Sequence, residues 1–179
     1  MSNSARLTRH DWLNAGLGAL AQDGPATLRA ETLSRRLNTT KGSFYWHFKD
    51  VPDFHAAVLD TWSQQARTAL TETLPADAPP AARLRAFCQQ MTELAGTGTG
   101  SALRGWARDN APAGETQAHI DEFCHAQITA LLAEIGITNA EMARILHAAA
   151  IGMAQLPDAD EASSSNTIGS LVDLVLALR

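Results

Sequence analysis

Residues Leu28 to Phe48 read LRAETLSRRLNTTKGSFYWHF. Leu33 and Leu37 stand one helical turn apart, as do Phe44 and Phe48, and Asn38-Thr39-Thr40 lies between the two pairs. Asn tolerates the left-handed backbone of a tight turn, and Thr is a good helix cap. The spacing predicts two short helices, over roughly 29–37 and 40–48, joined as a helix-turn-helix. In that motif the second helix enters the major groove, so its outward side chains must meet phosphates or base edges. Here they are Lys41, Ser43, Tyr45, Trp46 and His47. Lys41 suits a guanine edge or a phosphate, Ser43 is small enough for close approach, and Tyr45 and His47 donate to phosphate oxygens. Trp46 suits a sugar or a thymine methyl, and Gly42 allows close approach of the DNA backbone. Five bulky residues in a row around a helix cannot all face one core. Phe44 and Phe48 are the inward pair; the rest need a partner outside.

Upstream, Thr8-x-x-Asp11 opens a helix with Trp12, Gly16, Ala19 and Leu20 as its inward stripe, flanked by Leu13 and Leu17, and Gly24-Pro25 stops it. Downstream, Asp50-Val51-Pro52-Asp53 is a second start, with Asp50 as cap. That helix carries Phe54, Val58, Trp62, Ala66 and Leu70 and runs to about Leu74; ~24 residues at ~1.5 Å each span ~36 Å, long enough to join two bodies. A stiff connector over 75–80 follows. Further helices are expected over about 81–95, ending near Asn110, and from there to Gly136 with Ile120, Cys124, Ile128, Leu131 and Ile135 on one side. Thr138-x-x-Glu141 caps the next, which Pro157 ends, and the last runs from about Asn166 after an acidic, Ser-rich loop over 158–165. Gly96-Thr-Gly-Thr-Gly-Ser101 reads as a mobile loop, since no strand precedes it and no Lys-Ser/Thr follows to make a phosphate cradle. The chain is therefore all-α, with about nine helices, three before the connecting helix and five after it.

Hydrophobic residues make up 45% and charged residues 18% of the 179, which excludes disordered and collagen-like classes. Apolar runs fall far short of the ~20 residues that cross a bilayer. MSNSARLTRHD lacks the apolar core of a signal peptide, and two cysteines are too few for a disulfide scaffold, so a cytoplasmic protein is expected. Residues 1–50 hold seven Lys/Arg against four acids, a net +3 that leaves −8 on the remainder of a chain whose total is −5. A basic head on an acidic body fits a nucleic-acid reader joined to a sensing or assembly part.

Lys41-Gly-Ser-Phe-Tyr-Trp-His-Phe48, behind a first helix ending at Gly24 and ahead of a long helix opening at Asp50, resembles the DNA-binding domain of the tetracycline-repressor (TetR/AcrR) family. The resemblance covers residues 1 to about 55. It implies a DNA-binding domain over 1–50, a helical effector-binding and dimerisation domain over 51–179, and a homodimer reading a palindromic operator. It further implies a repressor released from that operator by a small-molecule effector. By position, Thr40, Tyr45 and His47 match phosphate contacts, and Lys41, Ser43 and Trp46 match base or groove contacts. Arg29 stands where the family often starts its second helix with Ser or Thr; it can grip phosphate but caps poorly. Asn38 replaces the usual turn glycine, and Val51 stands where many members carry a phosphate-binding lysine, for which Lys49 is the substitute.

Aromatic and sulfur side chains on the later helices suit a small apolar or aromatic effector: Trp62, Phe87, Met91, Leu103, Trp106, Phe123 and Ile151. His147, Gln90, Asn110 and Gln127 are the groups able to orient it, and Arg104 and Arg108 share a helix face suited to an ion pair. Met142, Ile145, Leu146, Ala149 and Met153, then Ile168, Leu171, Val172, Val175 and Leu178, form a wide apolar face suited to a two-fold four-helix bundle. Cys88, His119, Cys124, His125 and His147 lack the one-turn spacing that pairs two ligands on one helix face, so no metal or cofactor is expected. No nucleophile elbow, zinc helix or acidic dyad occurs, so no catalysis is expected either. The alternatives are a metal- or thiol-redox-sensing regulator on this scaffold using Cys88 and Cys124, or a helical interaction module or enzyme without DNA binding.

Overall fold

The computed structural model describes residues 7–72, 77–156 and 161–177, the side chains of 161–163 excepted. The order is α1 (Arg9–Asp23), a 3-10 turn (Pro25–Thr27), α2 (Ala30–Arg36), α3 (Lys41–Tyr45) and α4 (Val51–Glu72). After these come α5 (Pro80–Gly96), α6 (Gly98–Trp106), α7 (Ala111–Glu134), α8 (Ala140–Ala154) and α9 (Glu161–Ala177). The described residues contain no strand, and none of their helices is long and apolar enough to cross a membrane. The proposed end of the connecting helix at Leu74, Pro157 and Leu178 lie outside the described residues.

The head assembles as its local signals dictate. Thr8 and Asp11 form a reciprocal capping box, Thr8 Oγ1 accepting from the Asp11 N–H at 3.2 Å and the Asp11 carboxylate accepting from the Thr8 N–H at 2.7 Å. Gly24, at φ 79°, ends α1, and Asn38, at φ 49°, makes the turn after α2. Thr40 caps α3 by accepting from the Ser43 N–H at 3.3 Å. That helix is shorter than the expected 40–48. Regular helix stops at Tyr45, and the N–H groups of His47 and Phe48 both turn back onto the Phe44 carbonyl. The chain must reverse at once, because Asp50 already caps α4 by accepting from the Asp53 N–H at 2.8 Å. Phe48 nevertheless points inward. With Trp12, Phe44 and Phe54 it forms an aromatic core in which every ring is at most 1% exposed. Phe44 sits 5.2 to 5.4 Å from the other three centroids, in edge or tilted contact. A Cβ on Gly16 would fall 2.6 Å from Phe54 Cζ, so glycine permits the close crossing of α1 and α4.

In the body α5 is central, packed against α7, α8 and α9. Arg85 of α5 pins α9 by donating to the Gly169 carbonyl at 3.0 Å and pairing with Asp173. Four expectations for this half need correction. The glycine segment is no loop: Thr97 alone breaks the helical run, caps α6 by accepting from the Gly100 N–H at 3.0 Å, and Gly98 and Gly100 are helical. Glycine serves proximity here, because a Cβ on Gly100 would lie 2.2 Å from the Leu94 carbonyl oxygen. That short helix ends at Trp106, and Asn110 instead caps α7 by accepting from the Ala113 N–H at 3.0 Å. The cap of α8 is Asn139, not Thr138; its side chain accepts from the Glu141 N–H at 2.9 Å. Finally, α9 starts at Glu161, so Ser164 and Ser165 belong to the helix, where Ser165 reaches Glu93 and Ser164 the Met153 carbonyl.

Candidate nucleic-acid interface and the cavity behind it

The turn at Asn38 and the cap at Thr40 project α3 from the aromatic core, so that Phe44 anchors it and its other residues face out. Tyr45 is 54% and Trp46 78% exposed, the two most exposed aromatics of the described residues. Lys41, Arg29 and Lys49 are exposed beside them, while Ser43 and His47 are half-buried. Thr40 is partly committed to its cap. Arg29 precedes α2 with no side-chain cap bond, as its residue type implied. Lys41 Nζ lies 2.8 Å from Glu31 Oε2. The guanidinium of Arg9 stands 4.9 Å over the Phe48 ring, which adds an exposed cation to this side of the head. Sequence reasoning passed over Arg9 because only the fold brings α1 to the end of the recognition segment.

Behind the head, five helices converge. Trp62 of α4, Met91 of α5, Arg104 of α6, Ile120, Asp121 and Cys124 of α7, and His147 and Ile151 of α8 line a cavity of about 30 Å³. Of the effector-contacting residues expected from the sequence, Trp62, Met91, His147 and Ile151 come together here; Phe87, Leu103, Trp106 and Phe123 do not line it. Phe87 is fully buried against Phe123, 6.5 Å between centroids, and Phe123 lies under the guanidinium of Arg67 at 4.5 Å. Trp106 meets His55 edge-on at 5.2 Å. The polar side of the cavity is a network that the sequence showed only in parts. Arg104 donates to both oxygens of Asp121, at 2.9 and 3.1 Å, Gln117 donates at 3.0 Å, and His147 Nε2 lies 3.6 Å away. Burial raises the Asp121 carboxyl, but His147, Arg104 and Gln117 outweigh it and bring it down to about 2. Arg104 and His147 were candidates from the sequence; Gln117 and Asp121, which stand one turn apart on α7, were not. A wider groove of about 440 Å³ between α7 and α8 shares Asp121, His147 and Ile151 with the cavity.

The cavity connects to the head through α6 as well as α4. A Cβ on Gly98 would sit 3.1 Å from the Ala21 carbonyl oxygen, so α6 rests directly on α1. Trp106 of α6 meets His55, whose Nε2 donates to the Leu28 carbonyl at 2.9 Å, just ahead of α2. The thiols offer less. Burial pushes Cys88 and Cys124 up to about 12, helped by the charge of Cys124 on Cys88 and of Asp121 on Cys124. Both therefore stay protonated and poorly nucleophilic at neutral pH. Among the described residues no group of three or more His, Cys, Asp or Glu is placed to hold a metal ion.

The outward apolar stripe of the last helices differs from the expected set. Leu146, Ile168, Val172 and Val175 are buried within the protomer, because α9 lies along α5 and α8. Left outside are Ile145, Ala148, Gly152 and Leu156 on α8 and Leu174 on α9.

No family model matches the chain, and neither does any curated protein. Solved structures do match, over nearly the whole length. A TetR-like transcriptional regulator from Rhodococcus sp. RHA1 aligns over 100% of both chains at 16% identity and a TM-score of 0.75. A proposed transcriptional regulator from Saccharomonospora viridis, solved in complex with choline, aligns over 92% of this chain and 95% of its own at 14% identity and a TM-score of 0.77. SmeT, the repressor of the Stenotrophomonas maltophilia multidrug efflux pump SmeDEF, aligns over 95% and 90% at 18% identity and a TM-score of 0.70. The chain has the fold of TetR-type transcriptional regulators.

Proposed function

We propose that this chain is a transcriptional regulator of the TetR type, a cytoplasmic homodimer that binds a palindromic DNA operator through residues 1–50. In this reading, residues 51–179 pair the protomers and house a small apolar or aromatic effector whose binding releases the DNA. The observation that carries it is the helix-turn-helix, which displays Tyr45 and Trp46 beside Lys41 on a rigid aromatic core. Trp46 is 78% exposed, and a duplex offers such a side chain sugars and thymine methyls and offers Lys41 phosphates or guanines. Arg29, Thr40, Ser43, His47 and Lys49 complete the contact set. The stripe from Ile145 to Leu156, with Leu174, supports a two-fold bundle of α8 and α9 that would set two recognition segments ~34–36 Å apart, one turn of duplex.

The cavity supports the effector role through its lining, apolar at Trp62, Met91 and Ile151 and polar at Asp121 and His147. The cavity is about 30 Å³ in this structure, and an effector seated among Trp62, Met91 and His147 would widen it. An effector favours the wider state only by its differential affinity for it. Opening the cavity moves α6, which touches the head at Ala21 and, through Trp106 and His55, at Leu28. The lever thus consists of α6 together with α4. The double variant Lys41→Ala, Tyr45→Ala tests the DNA reading. It should lose binding to DNA from the upstream region of its own gene by at least about 30-fold, since each of the two contacts is worth ~1–3 kcal/mol. Its circular dichroism, melting temperature and sedimentation as a dimer should stay those of the wild type. Unchanged DNA binding in that variant would overturn the proposal.

A further inference from the structure

We infer that Glu31 of α2 is a specificity-determining residue of the DNA interface, holding Lys41 on a base edge and penalising DNA that offers Lys41 only phosphate. The inference rests on the DNA-binding reading above. Glu31 Oε2 takes Lys41 Nζ at 2.8 Å and Oε1 takes the Arg35 guanidinium, so one carboxylate joins two cations across the two helices of the motif. Its hydrogen bond with Lys41, then the charges of Lys41 and Arg35, hold the Glu31 carboxyl below its ordinary value. It is therefore an anion wherever DNA is duplex. An exposed pair of this kind adds little to stability; the side chains of Lys41 and Glu31 are 57% and 51% exposed. Its consequence lies at the interface.

Free lysine is a point charge on a flexible four-carbon stem and settles on the nearest phosphate, which carries no sequence information. Bound to Glu31, Lys41 spends one of its three donors on the carboxylate and keeps two for the groove. The approach is open, since a Cβ on neighbouring Gly42 would meet only Thr40 Oγ1, at 3.6 Å. In the major groove, guanine presents two acceptors that suit Lys41, and cytosine presents an N4 amino donor that suits a carboxylate. The two side chains together are therefore complementary to a G·C pair. On DNA without it, Glu31 meets phosphates and base acceptors, and its charge opposes binding. Glu31 also stands in the first turn of α2, where a carboxylate favours the helix dipole. That role changes stability without changing base preference, and the test must separate the two.

The test selects binding sites from a randomised duplex pool with wild type, Glu31→Gln, Glu31→Asp and Lys41→Gln. Affinities for the selected site and a scrambled duplex are then measured over a salt series. Glu31→Gln should bind the scrambled duplex ~3–10-fold tighter, with a log–log salt slope steeper by about 0.9 as Lys41 moves to a phosphate. Its preference for G·C at one position of each half-site should fall about 10-fold, the rest of the motif staying unchanged. Glu31→Asp keeps the charge but shortens the reach, so it should lose that base preference without gaining scrambled affinity. In the Lys41→Gln background, Glu31→Gln should no longer alter the preference at that position. A Glu31→Gln protein with wild-type melting, wild-type motif and wild-type scrambled affinity would overturn the inference alone. A wild type that enriches no motif would overturn the DNA reading and this inference with it.

Discussion

The head and the body of this protein handle polar and aromatic groups in opposite ways. In the head, four aromatic rings are packed in edge or tilted contact, and charged or amphipathic side chains stand outside them: Lys41, Tyr45, Trp46, Lys49. In the body, a guanidinium, a carboxylate, an amide and an imidazole are drawn inward around a cavity of about 30 Å³. A rigid core beneath exposed donors is preorganised for a partner that already has its shape, such as duplex DNA. In the body the polar groups satisfy one another beside the cavity, and the groove between α7 and α8 shares Asp121, His147 and Ile151 with it. In the proposed function, reading falls to the first region and switching to the second, with α6 touching both.

The largest effect that sharpens this contrast comes from two tryptophans. Trp12→Ala removes a fully buried ring and should cost about 3–5 kcal/mol, a large part of a typical domain's stability. Trp46→Ala should leave the melting temperature nearly unchanged, within about 0.5 kcal/mol, and weaken DNA binding about 10-fold. Thermal melts and a binding isotherm on each variant check both. Equal losses of stability would break the division between core and interface in the head.

Next comes Asp121. Removing its charge with Asp121→Asn strands Arg104 in a partly buried site and should cost about 2 kcal/mol in a thermal melt. The pH dependence follows from the same contacts. The folded carboxyl sits at about 2, below its ordinary 3.8, so its contribution is complete above about pH 4 and is lost as pH falls toward 2. The shift corresponds to about 2 kcal/mol, trimmed toward 1 by solvent because the side chain is 32% exposed. Acid titration of stability should be flatter in Asp121→Asn across that window.

The smallest effects concern two glycines of α6 and should have opposite signs. Gly100→Ala forces a Cβ against the Leu94 carbonyl and should destabilise by about 1–2 kcal/mol. Gly105→Ala meets nothing within 4 Å and should stabilise by about 0.5–1 kcal/mol through helix propensity. Denaturant melts of the pair read both signs.

These glycines also show where sequence reasoning reached its end. The head was legible because its signals are local: the Thr8–Asp11 box, Gly24, Asn38, Thr40 and Asp50 each act within four residues of where they stand. Gly96 to Ser101 misled because glycine signals a loop when read alone. Its role at Gly98 and Gly100 depends on carbonyls of Ala21 and Leu94 in other helices. Asn139 replaced Thr138 as a cap because neighbouring residues of similar capping strength cannot be ranked without the backbone. The apolar stripes of α8 and α9 were found as stripes. Which residues of each faced α5 and which faced outward was set by tertiary packing, so Leu146 and Val172 were misassigned and Leu156 and Leu174 missed. For the cavity, residue types suggested Trp62, Met91, His147 and Ile151. Phe87, Trp106 and Phe123 had equal claim by type and went to other contacts. Arg104 was legible as a member of an ion pair, but its partner Asp121 lies on another helix and left no local trace.

The central claim is that this head reads a DNA sequence. It is tested most directly by titrating the purified wild-type protein, over a salt series, onto duplex DNA from the upstream region of its own gene and onto an unrelated duplex. The expected result is binding to the first at least about 1,000-fold tighter, protection of two half-sites about one helical turn apart, and a linear fall of log K with log salt on both. Equal affinity for the two duplexes, with no protected half-sites, would contradict it.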